Sequence, residues 1–204
     1  MVLAHTFGFG DILTYALLNS NENVCLEKHE NFQKRSIRSR YEICNHQGRS
    51  TLSIPLLKGK NQGQKITEVL ISYEEDWISL HQKSIVSAYG KSPYFEHYID
   101  DVESILSLKP STLWEFNLNC INTCLKLLKT NVSISNSISY EFEVEAEVLD
   151  IRKGNSVEIL YPTYQQCFSE RFSFINNLSI IDLLMCLGPE SKSYLNSIYN
   201  LLRP

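Results

Sequence analysis

The segment running from His29 through Glu30, Lys34, Arg35 and Arg38 to Arg40 places a histidine, a carboxylate, a lysine and three arginines within twelve residues. A guanidinium offers a planar fork of donors that matches the oxygens of a phosphate or carboxylate. In an extended chain Arg38 and Arg40 would share a face and could close on one anion, with Lys34 and Arg35 adding charge beside them. Histidine is the side chain suited to proton transfer at neutral pH, and Glu30, next to His29, could orient the ring or pair with an arginine. The competing reading is a solvated, salt-bridged loop. Residue types and spacing leave both open.

Other groups each carry a chemical and a structural reading. Trp77, His81 and Ile85 fall on one helix face. On so apolar a stripe a histidine is ordinarily a satisfied core residue, whereas beside a cleft His81 would be a general base. The run His5-Thr6-Phe7-Gly8-Phe9-Gly10-Asp11 supplies the first two glycines of a dinucleotide fingerprint, but Leu13 stands where the third belongs. Asp11 would also repel a phosphate, so a tight turn capped by Asp11 is the expected structure. Cys120 and Cys124 share a helix face, yet no second Cys or His pair has zinc spacing. These two, with Cys25, Cys44, Cys167 and Cys186, are expected as reduced thiols in apolar surroundings, and no metal is assigned. The row Glu141, Glu143, Glu145 and Glu147 reads as the solvated face of a strand, the alternative being a metal site. Tyr89, Lys91 and Asp182 are either ligands or structural residues. The sequence contains no nucleophile elbow, Walker loop, zincin or catalytic-cysteine signature, and it names no cofactor.

A net charge of −4 disfavours a general nucleic-acid binder. The average conceals an asymmetry: between Lys28 and Lys65 nine basic residues, Lys58 and Lys60 among them, face only Glu30 and Glu42, a local +7 that leaves −11 on the remainder. A positive patch on an acidic protein suits a discrete anionic ligand. With 204 residues, 43% hydrophobic and 21% charged, one globular domain over residues 1–204 is expected. The N-terminus lacks a basic leader region and no stretch approaches the roughly 20 apolar residues of a membrane span, so a cytoplasmic location is expected.

The basic segment also carries a resemblance. His29-Glu30-Asn31-Phe32-Gln33-Lys34-Arg35, with Arg38 and Arg40 after it, is followed by Leu52-Ser53-Ile54-Pro55-Leu56 with Lys58-Gly59-Lys60, and by Trp77 with His81. Ser87-Ala88-Tyr89-Gly90-Lys91-Ser92-Pro93-Tyr94-Phe95 comes next, then Tyr164-Gln165, Asn177-Leu178-Ser179-Ile180-Ile181-Asp182-Leu183-Leu184 and Gly188-Pro189-Glu190. This ordered combination resembles the WbqC-like family, in the branch that carries His-Glu-Asn at this place, and it spans nearly the whole chain. The chain departs from the family in its glycine-containing loop from His5 to Asp11, where relatives have proline and aromatic residues, and at Ser39, where Asn usually stands. The resemblance implies a part in cell-surface polysaccharide biosynthesis (O-antigen-type lipopolysaccharide). It further implies a transferase that adds a small acyl or aminoacyl group to an amino sugar or sugar nucleotide.

The elements that must position these groups read as an α/β fold. A mixed sheet with an N-terminal β-α-β unit, central and late hairpins, and a helical middle and C-terminus are expected. Met1 to His5 and Val24 to Glu27 are predicted strands around a helix from Asp11 to Leu18, a connection that implies a parallel pair. The basic segment then begins at the carboxyl end of a parallel strand, where such folds bind ligands. Arg40 to Asn45 and Ser50 to Leu56 read as a hairpin, and Ile66 to Ser72 as a strand. A helix from Asp76 to Tyr89 stops at Gly90, a second opens at Ser92-Pro93, and a third follows the Thr112/Glu115 capping box. Tyr140 to Val148 alternates as a strand that Lys153-Gly154-Asn155 would turn into Val157 to Tyr161. Helices from Ser179 to Leu187 and Glu190 to Leu201 flank Gly188-Pro189.

The reading that results is a transferase for a small phosphorylated or carbohydrate substrate. Lys34, Arg35, Arg38, Arg40, Lys58 and Lys60 would hold the anion, His29 or His81 would move the proton, and Glu30 would orient it. The alternative is a non-catalytic module that binds an anionic saccharide or a partner protein. The two differ in whether His29 or His81 converges with the basic segment on one concavity.

Overall fold

Four short parallel strands carry the fold, in a computed structural model that describes residues 1–57, 63–140, 143–153 and 159–202. β1 (Val2–Ala4) lies between β2 (Asn23–Leu26) and a late strand, Leu149–Asp150, while Ser133–Asn136 flanks the other side of β2. Between β1 and β2 runs α1 (Ile12–Asn19), capped by Asp11 as its sequence predicts. Every residue of α1 from Ile12 to Leu18 is buried, because α5 (Ile180–Leu187) and α6 (Ser191–Leu202) pack over it. A helix apolar all round needs such cover.

A separate antiparallel hairpin joins β3 (Arg40–Asn45) to β4 (Gly48–Ser53), in register from Arg40 opposite Ser53 to Asn45 opposite Gly48. Gly48 makes the return at φ +97°, a conformation that favours glycine. Three helices, α2 (Trp77–Tyr89), α3 (Phe95–Ser107) and α4 (Leu113–Leu127), form the helical middle. Asp76 caps α2, and Thr112 with Glu115 closes a full capping box on α4. Edge-to-face aromatic contacts tie the hairpin to this middle: Phe9 to Tyr41 at 5.1 Å, Tyr41 to His81 at 5.4 Å and Trp77 to Phe116 at 5.9 Å. The fold is thus α/β, with a parallel sheet, an antiparallel hairpin and a helical middle and C-terminus.

Two local expectations give way. Ile66–Glu68 is a 3-10 turn, and Leu70 and Ile71 make only isolated bridges to Thr112 and Leu56. Alternation there reflects burial of Ile66, Val69 and Ile71 without a neighbouring strand long enough to form a ladder. The late hairpin is not formed by the described residues: residues 143–148 are bends and turn. The strand that does form, β6 (Leu149–Asp150), pairs parallel with β1, leaving β5 as Ser133–Asn136. Here the free edge of β1, and not the apolar alternation, selects the paired residues. Residues 141, 142 and 154–158 of that expected hairpin lie outside the described residues. Among the described residues no helix is long and apolar enough to cross a membrane.

Candidate functional site

The carboxyl ends of β1, β2 and β6 deliver His5, Glu27 and Asp150 to one edge of the sheet, and the basic segment folds over that edge. Phe32 is its plug. The ring is buried, and backbone bonds from Phe32 to Gln64 (2.7 Å) and from Ile66 to Glu30 (3.0 Å) hold the loop down. Beyond Phe32 the chain does not extend; it turns at Arg35 with φ 58° and again at Ser39, whose amide bonds Ser36 O. Arg38 and Arg40 therefore diverge instead of sharing a face.

Two adjoining cavities result, with Asp11, Ser36 and Ile37 as their common wall. The first lobe, of about 240 Å³, is bounded by Arg35, Arg40, Glu42 and Arg49 on one side and by Asn177 and Ser179 on the other. Its charges sort into pairs and remainders. Arg49 bonds Glu42 and the Asn176 carbonyl (2.6 Å), so each of that pair is satisfied. Asp11 is engaged as the cap of α1, and burial lifts its carboxyl above the usual range. Arg35 and Arg40 have no ion-pair partner among the described residues.

The second lobe, of about 230 Å³, is lined by His5, Gln33, Arg38, Ile151 and Lys153. Arg38 is 3% exposed and forked onto Glu30, with Nε to Oε1 at 2.7 Å and Nη2 to Oε2 at 2.5 Å. Its Nη2 also reaches the Arg152 carbonyl at 3.2 Å. Arg152 bonds Asp150 (2.8 Å) and Glu27 (3.1 Å), and Glu27 in turn accepts from the His29 amide and Ser137 Oγ. Burial lifts the Glu30 carboxyl against the pull of Arg38, whereas for Asp150 the bonds from Arg152 outweigh burial and hold it low. These interlocked pairs form the floor of the site, and a buried pair of this kind is costly to break.

His5 completes the floor. Its Nδ1 lies 3.1 Å from the Ile151 carbonyl, which can only accept, so the proton sits on Nδ1. Burial and then Arg38 lower the ring's pKa to about 3. The Arg152 carbonyl, which accepts from Arg38, is also near the ring but makes no hydrogen bond to Nε2. Nε2 is thus an unprotonated, buried nitrogen with no partner among the described residues.

The glycine loop serves geometry, not phosphate. The first amides of α1 are already taken: Ile12 by the Leu178 carbonyl (3.0 Å), Leu13 by Asn177 Oδ1 (2.9 Å) and Thr14 by Asp11 Oδ1 (2.8 Å). A Cβ on Gly10 would meet the Phe7 ring at 2.4 Å. The close-packed loop instead brings Asp11 and the strip 177–179 to the cleft.

The remaining sequence candidates among the described residues fall outside the two lobes. His29 is half-buried beside the floor and contributes to neither lobe's wall. Lys34 is exposed and likewise outside both walls. Lys58 and Lys60 lie outside the described residues. His81 sits in the core with Nδ1 accepting from Tyr41 Oη (2.8 Å) and Nε2 donating to the Ser53 carbonyl (3.2 Å). Burial lowers its pKa to about 4, and it lines neither lobe. Cys120 and Cys124 are buried within α4, and burial pushes the Cys124 thiol up to about 12. Arg49, Lys153, Asn177 and His5 are cleft residues that the basic segment alone does not reveal.

The family model described as the WbqC-like protein family matches residues 14–158. That is more than half of the 204 residues, and it contains the whole basic segment. No curated protein and no solved structure matched. The chain belongs to the WbqC-like family.

Proposed function

From that membership and the cleft, we propose that this protein is a transferase of cell-surface polysaccharide (O-antigen-type) biosynthesis. It acts on a sugar nucleotide or phosphorylated amino sugar and adds a small acyl or aminoacyl group. The observation that carries the reading is the pair Arg35 and Arg40, two cations without ion-pair partners among the described residues that line one lobe at the carboxyl edge of a parallel sheet. Buried ion pairs occupy Arg38 and Arg152, so those two shape the floor while Arg35 and Arg40 take the anion. Lys34, Lys58 and Lys60 add positive charge that draws the anionic ligand in. Glu30 acts through Arg38, and His29 through its amide bond to Glu27, as supports of the floor. His81 sets the position of Tyr41, which lines the first lobe.

The non-catalytic reading keeps one specific support: neither His29 nor His81 reaches the cleft, so a module that only binds an anionic saccharide accounts for the arginines equally well. A thermal-shift panel of sugar nucleotides, sugar phosphates and their unphosphorylated sugars tests the anion site. Phosphorylated members should raise Tm and the neutral sugars should not. If no phosphorylated compound stabilises the protein, or if Arg35→Ala with Arg40→Ala leaves the stabilisation unchanged, the proposal fails. Incubation of a stabilising amino-sugar phosphate with activated acyl donors, read by mass spectrometry, separates the transferase from the binding module.

A further inference from the structure

The two lobes differ in chemistry. The first offers cationic donors, whereas the second presents an acceptor. With Nδ1–H committed to the Ile151 carbonyl, the His5 ring has only a lone pair left, at Nε2. His5 is 2% exposed, so this lone pair is withdrawn from bulk water. A buried acceptor without a donor is unfavourable, and a ligand group that supplies the donor gains what the empty site lacks. Around the ring stand Arg38 of the basic segment, Arg152, Asp150 and Lys153 at the end of β6, Asp11 at the cap of α1, and the edge-on Phe7 ring at 6.0 Å. Arg38 and Arg152 are committed to carboxylates, and together with Lys153 they make the lobe unwelcoming to a second cation. An anion would face the Nε2 lone pair. An uncharged donor satisfies both conditions.

We propose that His5 makes the second lobe a subsite for an uncharged hydrogen-bond donor, a hydroxyl or N–H on the carbohydrate part of a ligand whose phosphate lies in the first lobe. This rests on the anion reading of Arg35 and Arg40. It specifies that the ligand is bipartite, with an anionic end and a neutral donor end spanning the shared wall of Asp11, Ser36 and Ile37. Sites built to pair with a substrate hydroxyl discriminate strongly against analogues that lack it, so His5 is a specificity-determining residue of the sugar end.

The test uses the whole protein labelled with ¹⁵N-histidine, with N-acetylglucosamine 1-phosphate and inorganic phosphate as probes at pH 7. N-Acetylglucosamine 1-phosphate should move the unprotonated His5 Nε2 resonance upfield, the direction that accepting a hydrogen bond produces, while inorganic phosphate should leave it in place. In parallel, His5→Phe should weaken the sugar phosphate about tenfold or more with little effect on inorganic phosphate. The resonance experiment on the unmutated protein stands even if His5→Phe does not fold. If the sugar phosphate binds through Arg35 and Arg40 without moving Nε2, the donor subsite is overturned and the anion site survives. The donor subsite is equally overturned if Nε2 is already hydrogen-bonded in the free protein, to a buried water only, and does not change. If neither probe binds, the anion reading is overturned and this inference with it.

Discussion

Arg35 and Arg40 owe their availability to what their neighbours do with the other charges. Glu30 takes Arg38, Glu27 and Asp150 take Arg152, and Glu42 takes Arg49, while Asp11 is engaged as the cap of α1. Replacing Arg40 by alanine should cost roughly 1.5–3 kcal/mol of binding to a phosphorylated ligand, the worth of a charged hydrogen bond. Tm of the free protein should stay unchanged, because Arg40 is half-buried and holds no ion pair among the described residues. Calorimetry and a melt on the same sample check both halves. Glu30→Ala should behave in the opposite way. It strands a guanidinium that is 3% exposed, so urea unfolding should show a loss of about 3–5 kcal/mol. At this scale the charge of the basic segment was legible because its residue types are local. The division of labour within it was not, since Arg38 meets Glu30 only because the chain turns at Arg35. His5 was less legible still, because what frees its Nε2 is a carbonyl 146 residues away.

At the scale of elements, helix starts announce themselves through local chemistry. Asp11, Asp76, Thr112 and Ser179 each cap the helix that follows, with a side-chain oxygen accepting from an amide two or three residues on. Strands are different, because their partners are remote. Ser133–Asn136 is polar and gives no signal, yet it pairs fully with β2. The glutamate-alternating run beside it has the pattern but, over residues 143–148, no strand. Two substitutions separate positioning from stability. Thr112→Ala should cost about 1 kcal/mol through the lost cap and leave ligand affinity alone, because Thr112 lines neither lobe. Gly10→Ala should cost about 1–3 kcal/mol by overpacking Phe7, and should also weaken binding, because the loop it disturbs carries Asp11. Urea melts paired with affinity measurements decide whether the second effect exists.

Across the whole molecule, two buried neutral histidines tie stability to pH. His5 and His81 are lowered to about 3 and about 4, so in the folded protein they stay uncharged over a range where the unfolded chain binds protons. Between the unfolded value near 6.5 and those folded values, the unfolded state holds more protons, so stability rises with pH and falls as the solution is acidified. From pH 7 to pH 5 each histidine should withdraw about 2 kcal/mol. His81→Gln should flatten that slope, which urea unfolding at the two pH values would show. The chain's charge asymmetry, a local +7 between Lys28 and Lys65 on a protein of net −4, acts at the same scale and should draw an anionic ligand toward that segment. Ligand association should therefore slow as salt rises.

Whether Arg35 and Arg40 bind the phosphate of a carbohydrate ligand is read most plainly from one pair of dissociation constants. These are the constants of N-acetylglucosamine 1-phosphate for the unmutated protein and for Arg35→Ala with Arg40→Ala, by calorimetry at one pH and ionic strength. Removing two charged hydrogen-bonding groups should weaken binding about a hundredfold or more. Equal dissociation constants for the two proteins would mean that the phosphate is held elsewhere and that these arginines are not its site.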